Sequence, residues 1–174
     1  MRNTLFGKLA AALAVLLGIN SVVYVALTVI TTRLHIQEIE QSLHRSLAAS
    51  VVAADRLIRE GEADRKALDQ IFRRLMEINP AIEVYLLDPE GQILSYSAPP
   101  NKVKRTHVSL DPIETFLGGD ERLPIRGDDP RDPLGQKIFS AAPILDQGRL
   151  QGYLYVVLGG ETYDTVAEMF EDSY

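Results

Sequence analysis

The N-terminal part of the chain is one continuous apolar run. Residues from Leu9 to Thr32 carry no formal charge and are mostly aliphatic. About 20 apolar residues, rising 1.5 Å each in a helix, cross the roughly 30 Å hydrocarbon core of a bilayer. The pattern therefore predicts a membrane-spanning helix over 9–32. The segment 1–8 is expected in the cytoplasm, because Arg2 and Lys8 outnumber Arg33 beyond the run.

A cleaved signal peptide is the alternative interpretation of this run. Signal peptides have an apolar region of about 7–15 residues that ends in a small-x-small cleavage site. The run here is longer, and the sequence VITTRLHIQ that ends it offers no such site. We expect an uncleaved anchor, and under either interpretation the remainder of the chain is exported.

A one-sided apolar stripe follows the anchor and predicts a helix from Leu34 to about Glu60. No Pro or Gly lies between Ile19 and Glu60, so this signalling helix, 33–61, is expected to continue the anchor as one rod. The stripe either packs on its own domain or forms a dimer seam that carries motion to the membrane. Both can be true at different positions along the helix. Its members are Ile39, Leu43, Leu47, Val51, Ala54 and Ile58.

Beyond Pro80 the apolar period changes to that of strands. IEVYLL and QILSYSA are joined by Asp88–Gly91, with the Pro and Gly positions of a type I turn. KIFSAAPIL and LQGYLYVVL are joined by Asp146–Arg149 and predict a second hairpin. The last strand is apolar at nearly every position and is expected to lie centrally in its sheet.

Three further helices are predicted, at 65–78 with Asp64 as its cap, at Asp111–Gly118 and at 161–174, with a loop over 119–136. The order of helices and hairpins predicts an α+β fold. An antiparallel sheet of about five strands, flanked by helices, follows the N-terminal helix.

This ordered combination resembles the extracytoplasmic PAS-like, single-Cache-type sensor domain of bacterial sensor histidine kinases. The hairpins YLLDPEGQIL and FSAAPILDQGRLQGYLYVVL carry the resemblance. It implies a dimeric input region in the inner membrane, with 33–174 periplasmic, 62–160 as the sensor domain and a cytoplasmic response regulator as the downstream partner. The input domain of a chemotaxis receptor or cyclic-dinucleotide enzyme, and a stand-alone membrane-anchored binding or scaffold protein, are the alternatives.

The chain departs from such receptors at its end. They have a second spanning helix after the sensor and then a cytoplasmic output, whereas no second apolar run or kinase motif precedes Tyr174. We therefore expect a fragment cut before the second span, with 161–174 leading toward it. The parent protein is expected to be a histidine kinase.

Charge and residue types exclude several kinds of site. The net charge is −6, with 24 acids against 18 basic residues, so non-specific nucleic-acid binding is not expected. Cysteine is absent, which excludes disulfides and cysteine-based zinc sites or nucleophiles. His35, His44 and His107 are scattered and lack metal-ligand spacing. No catalytic residue, metal or cofactor is expected.

By the resemblance, a ligand would lie between the sheet and its covering loops. Arg and Lys there suit a carboxylate, although Tyr85 and Tyr153 can equally be ordinary strand tyrosines. The loop GDDPRDP is either a solvated loop with local ion pairs or a ligand-gating, cation-contacting one. A small ligand, a cation, a periplasmic protein or the membrane could be the stimulus. The candidate ligand-binding residues are Tyr85, Tyr96, Arg126, Arg131, Lys137, Ser140 and Tyr153.

Overall fold

The computed structural model describes residues 5–54, 58–59, 62–63, 70–71, 73, 82–97, 102–119 and 122–158. The chain divides into two compact units, Met1–Glu38 and Ile39–Tyr174. The predicted helix over 161–174 lies outside the described residues.

Helix α1 spans Leu5–Leu43 and is long and apolar enough to cross a membrane. Two hydroxyls of its apolar run have partners within the helix: those of Ser21 and Thr28 donate to carbonyls four residues earlier, at 2.9 and 2.8 Å. Internal pairing of this kind is what a lipid-exposed helix requires. The prediction of one N-terminal helix of spanning length is confirmed.

A turn at residues 44–46 divides the predicted rod into α1 and helix α2, Leu47–Ala54, within one apolar helical stretch that runs from Phe6 to Ala54. The hydroxyl of Ser140 replaces the helical partners there: it accepts a bond from the Ala48 N–H at 3.2 Å and donates one to the Arg45 carbonyl at 3.1 Å. A partner on the sheet, rather than a Pro or Gly, therefore breaks the helix.

The predicted helix is also too long at its C-terminal end. Ile58–Arg59 form strand β1, which pairs antiparallel with β2, Glu62–Ala63. Ile58 is thus in a strand and not on a helix, which corrects the last member of the apolar stripe. Of the helix predicted at 65–78, only residues 70, 71 and 73 are described, and they are helical; its cap Asp64 lies outside the described residues.

The main sheet has five antiparallel strands in the order β4-β3-β7-β6-β5. The predicted α+β class and five-stranded antiparallel sheet are confirmed, and the apolar last strand is central as expected. The strands are β3 Glu83–Leu87, β4 Ile93–Ser97, β5 Arg126–Asp128, β6 Gln136–Asp146 and β7 Arg149–Val157.

The prediction of a loop over 119–136 is wrong at Arg126–Asp128, which form strand β5. It is only three residues long, Arg-Gly-Asp, with no apolar alternation to announce it. Gly127 at its centre is required by packing, since a Cβ there would collide with the Tyr155 hydroxyl and meet the ring of Phe139. The short strand therefore lies tightly over the aromatic core.

The sheet buries both of its faces. On the α2 face, Ala48 packs against Leu86, Leu154 and Val156. On the α3 face, helix α3, Asp111–Gly118, contributes Ile113 and Phe116 to a core that also holds Tyr85, Phe139 and Tyr155. Gly119, with φ 78°, is the C-cap of α3.

Candidate binding cleft

The loop that joins β5 to β6 is held in place by its own backbone. The Asp129 N–H donates to the Gly135 carbonyl at 3.0 Å. The carboxylate of Asp132 accepts from the Leu134 N–H at 3.0 Å. Asx turns of this type fix polar loops without regular secondary structure. The sequence GDDPRDP therefore forms a defined turn at one end of the sheet.

The segment around Lys104 is hydrogen-bonded to this loop. Its two N–H groups, at Lys104 and Arg105, both donate to the Pro130 carbonyl, at 2.8 and 3.0 Å. On its other side the Thr106 carbonyl accepts from the Ile93 N–H at 2.9 Å. The segment thus bridges the first hairpin and the β5–β6 loop.

Arg105 locks the two segments together. Its guanidinium donates to the carbonyls of Asp132 and Pro133, at 3.0 and 2.6 Å. It also pairs with the Asp128 carboxylate at 3.2 Å. The Asp128 carbonyl in turn accepts from the Tyr155 hydroxyl at 2.9 Å. The loops are therefore tied to the central strand.

A cleft of about 390 Å³ lies between these two segments. Its lining carries four cations and two carboxylates, which gives it a net charge of +2 in a chain whose net charge is −6. No apolar side chain is among the described residues that line it. The lining residues are Lys102, Lys104, Asp129, Arg131, Asp132, Gly135, Gln136 and Lys137.

Two of the cations are held by buried carboxylates. The Arg131 guanidinium contacts Glu83 at 2.6 Å, with the two side chains only 9% and 4% exposed. Lys137 contacts the buried Asp129 at 3.1 Å. A buried charge must be paired, so these contacts fix the positions of both cations rather than adding much net stability.

Tyr85 completes the buried network on the α3 face. Its hydroxyl donates to the second oxygen of Glu83 at 2.6 Å. Burial, together with this hydrogen bond and the charge of Glu83, raises the pKa of Tyr85 far above its usual range. Burial and the nearby Asp128 likewise raise the pKa of Tyr155. Both hydroxyls are therefore fixed donors that stay protonated.

The predicted ligand-binding residues do not form one site. Only Arg131 and Lys137 line the cleft. Tyr85 and Tyr153 lie in the α3-face core, with Tyr96 half-exposed beside Tyr85, ring centroids 6.2 Å apart. Arg126 is exposed on β5, opposite Ile138 of the α2 face. Ser140 is buried on that same face, where its hydroxyl bonds the α1–α2 connection.

Sequence reasoning missed a buried side-chain contact at the end of α1. The Gln41 side chain is fully buried. Its Oε1 accepts from the Ile125 N–H, and its Nε2 donates to the carbonyls of Ile125 and Phe139, all at 2.8–2.9 Å. A glutamine next to an apolar stripe gives no sign of such a role, because its partners are backbone groups far along the chain.

The described residues that line the cleft include no hydroxyl, thiol or imidazole group. Within the described part of the chain, no group of three or more His, Asp or Glu side chains could hold a metal ion.

No family model, curated protein or solved structure matches the chain. The course of α1 and the chemistry of the cleft are therefore the grounds on which a function can be proposed.

Proposed function

We propose that this chain is the membrane-anchored input region of a bacterial two-component sensor kinase. In this role α1 crosses the inner membrane with its N-terminus in the cytoplasm, and 33–174 form a periplasmic, PAS-like sensor. The output is a cytoplasmic kinase that phosphorylates a response regulator. The proposal rests on one observation. The Gln41 side chain, in the last turn of α1, is hydrogen-bonded to backbone groups of Ile125 and Phe139 at the sheet.

Gln41 bonds to β6 and to the residue just before β5, the two strands that flank the cleft loop. Ile125 directly precedes β5, and Phe139 lies in β6. A ligand that moves the loop between these strands changes the positions of the groups that Gln41 holds. Shifts of an ångström or two in a packed helix are a common way to transmit a signal. Gln41 is therefore suited to pass the state of the cleft to α1.

The exposed end of the apolar stripe supports a dimer. Ile39 and Leu43, four residues apart on α1, are 61% and 75% exposed. Leu47 and Val51 instead pack on the α2 face. The first pair is free to pack against the same helix of a second copy, as in a paired-helix seam, whereas the second pair serves the core.

A chimeric receptor tests the proposal. The chain is fused through a second spanning helix to the catalytic core of a sensor kinase with a reporter gene. Gln41→Leu removes the bonds to Ile125 and Phe139, and it is expected to shift reporter output about fivefold or more, the size of a typical coupling free energy. Membrane levels and circular dichroism of the variant show that it still folds.

Gln70→Leu is the matched control, because Gln70 is exposed and has no place in this contact. Its reporter output is expected to stay within twofold of the wild type. Equal outputs for Gln41→Leu, Gln70→Leu and the unchanged chimera would contradict the proposal. So would a chimera whose output matches that of the kinase core alone.

A further inference from the structure

We propose that the cleft binds a compact oxyanion with two negative charges, of the dicarboxylate or phosphate class. The recognition elements are Lys102 and Lys104 at the mouth, with Arg131 and Lys137 behind them. As the natural stimulus, this ligand rests on the proposed input function. The binding itself rests only on the cleft.

Lys102 and Lys104 are the two cleft cations whose charge no described carboxylate neutralises. Both are exposed, and no described carboxylate lies within salt-bridge distance of either. They sit on a segment whose backbone is fixed to Pro130, so their attachment points are set before a ligand arrives. A preformed site loses less ordering entropy on binding.

Arg131 and Lys137 shape the inner wall. Their contacts with Glu83 and Asp129 hold them in position and neutralise their charges. The charges that remain in the lining are those of Lys102 and Lys104 against that of Asp132. With one guanidinium nitrogen of Arg131 committed to Glu83, most of the recognition falls to lysine ammonium groups. These act as point charges and accept carboxylate or phosphate oxygens from several directions.

The size and lining of the cleft define the rest of the ligand. A volume of about 390 Å³ lies in the range of small-molecule sites. The polar lining offers nothing to an aromatic or lipid tail. A metal cation is disfavoured by four positive side chains, and a nucleic acid by the acidic chain as a whole.

Calorimetric titration of the full chain in a non-ionic detergent, near neutral pH, tests the site. Succinate and inorganic phosphate are the probes, and succinamide is the neutral counterpart of succinate. Binding of either anion without binding of succinamide supports the proposal. Lys102→Gln with Lys104→Gln is expected to weaken that binding about tenfold, since two ion pairs with the ligand are lost.

The matched control is Arg122→Gln with Arg149→Gln, which removes two exposed charges that lie outside the lining. Its affinity for the bound anion is expected to stay within twofold of the wild type. Added salt should weaken anion binding to the wild type, because exposed charges are screened. The inference is overturned if neither anion binds, if succinamide binds equally well, or if both double variants lose the same affinity.

The result separates this inference from the proposed function. Anion binding with an unresponsive Gln41→Leu chimera keeps the site and removes the sensor function. A responsive chimera in which neither anion binds keeps the sensor and removes the ligand class.

Discussion

At the residue scale, buried polar groups hold the side chains around the cleft in position. Glu83 is buried and accepts from both Tyr85 and Arg131. Across the described residues, no buried side-chain polar atom lacks a partner. Removing one member of such a network leaves the others uncompensated, which costs more than the contact gains. The network around Glu83 therefore fixes the position of the Arg131 guanidinium.

The raised pKa values of Tyr85 and Tyr155 predict how the protein responds to alkali. A folded-state pKa above that of the unfolded chain gives stability that is complete below about pH 10 and is lost as pH rises further. In a spectrophotometric titration, we therefore expect Tyr85 and Tyr155 to ionise only in a late, cooperative step that coincides with loss of the circular dichroism signal.

A substitution assigns the late step of that titration. Tyr155→Phe should reduce its amplitude. A single step near pH 10, with the circular dichroism spectrum still native, would show that the two buried hydroxyls are not protected as described.

At the element scale, the β6–β7 hairpin has an unusual residue in its turn. Gln147 and Gly148 both have positive φ, 49° and 79°, as a two-residue primed turn requires. Asn adopts this conformation more readily than Gln. Gln147→Asn is therefore expected to stabilise the protein by about 0.5–1 kcal/mol, measured by urea unfolding of the full chain in detergent.

The neighbouring turn position gives the control. Gly148→Ala places a side chain at φ 79° and is expected to destabilise by about 1 kcal/mol or more. If Gln147→Asn left the free energy of unfolding unchanged while Gly148→Ala lowered it, strain at Gln147 would not be limiting.

Local signals made the hairpins predictable from sequence. The turn at Asp88–Gly91 has its closing bond, from the Gly91 N–H to the Asp88 carbonyl at 3.0 Å, where Pro and Gly indicate it. Other elements could not be predicted, because they depend on residues far away in the sequence. The break after α1 depends on Ser140, 92 positions beyond Ala48. Strand β5 has no apolar pattern, and among the described strands its neighbour is β6.

The candidate site shows the same division. The family resemblance placed Arg131 and Lys137 among the candidate ligand-binding residues, and these two line the cleft. Which face of the sheet Ser140 and Arg126 occupy depends on strand register, which no local pattern specifies. Gln41 was missed because its partners Ile125 and Phe139 are 84 and 98 positions away.

At the scale of the whole molecule, charge and hydropathy separate along the chain. The acids all follow Arg33, and the apolar run precedes it. For an N-terminus in the cytoplasm, the sheet and its cleft face the outside, where small solutes reach Lys102 and Lys104 without crossing the membrane.

The absence of cysteine makes this orientation directly measurable, since any introduced thiol is unique. Leu134, on the cleft loop, is 94% exposed, so Leu134→Cys should react with a membrane-impermeant maleimide in intact spheroplasts. Asn3→Cys should react only after the membrane is permeabilised. Leu154→Cys, fully buried in β7, should react only after denaturation, which shows that labelling reports accessible thiols. Labelling of Asn3→Cys but not of Leu134→Cys in intact spheroplasts would reverse the orientation and place the cleft in the cytoplasm.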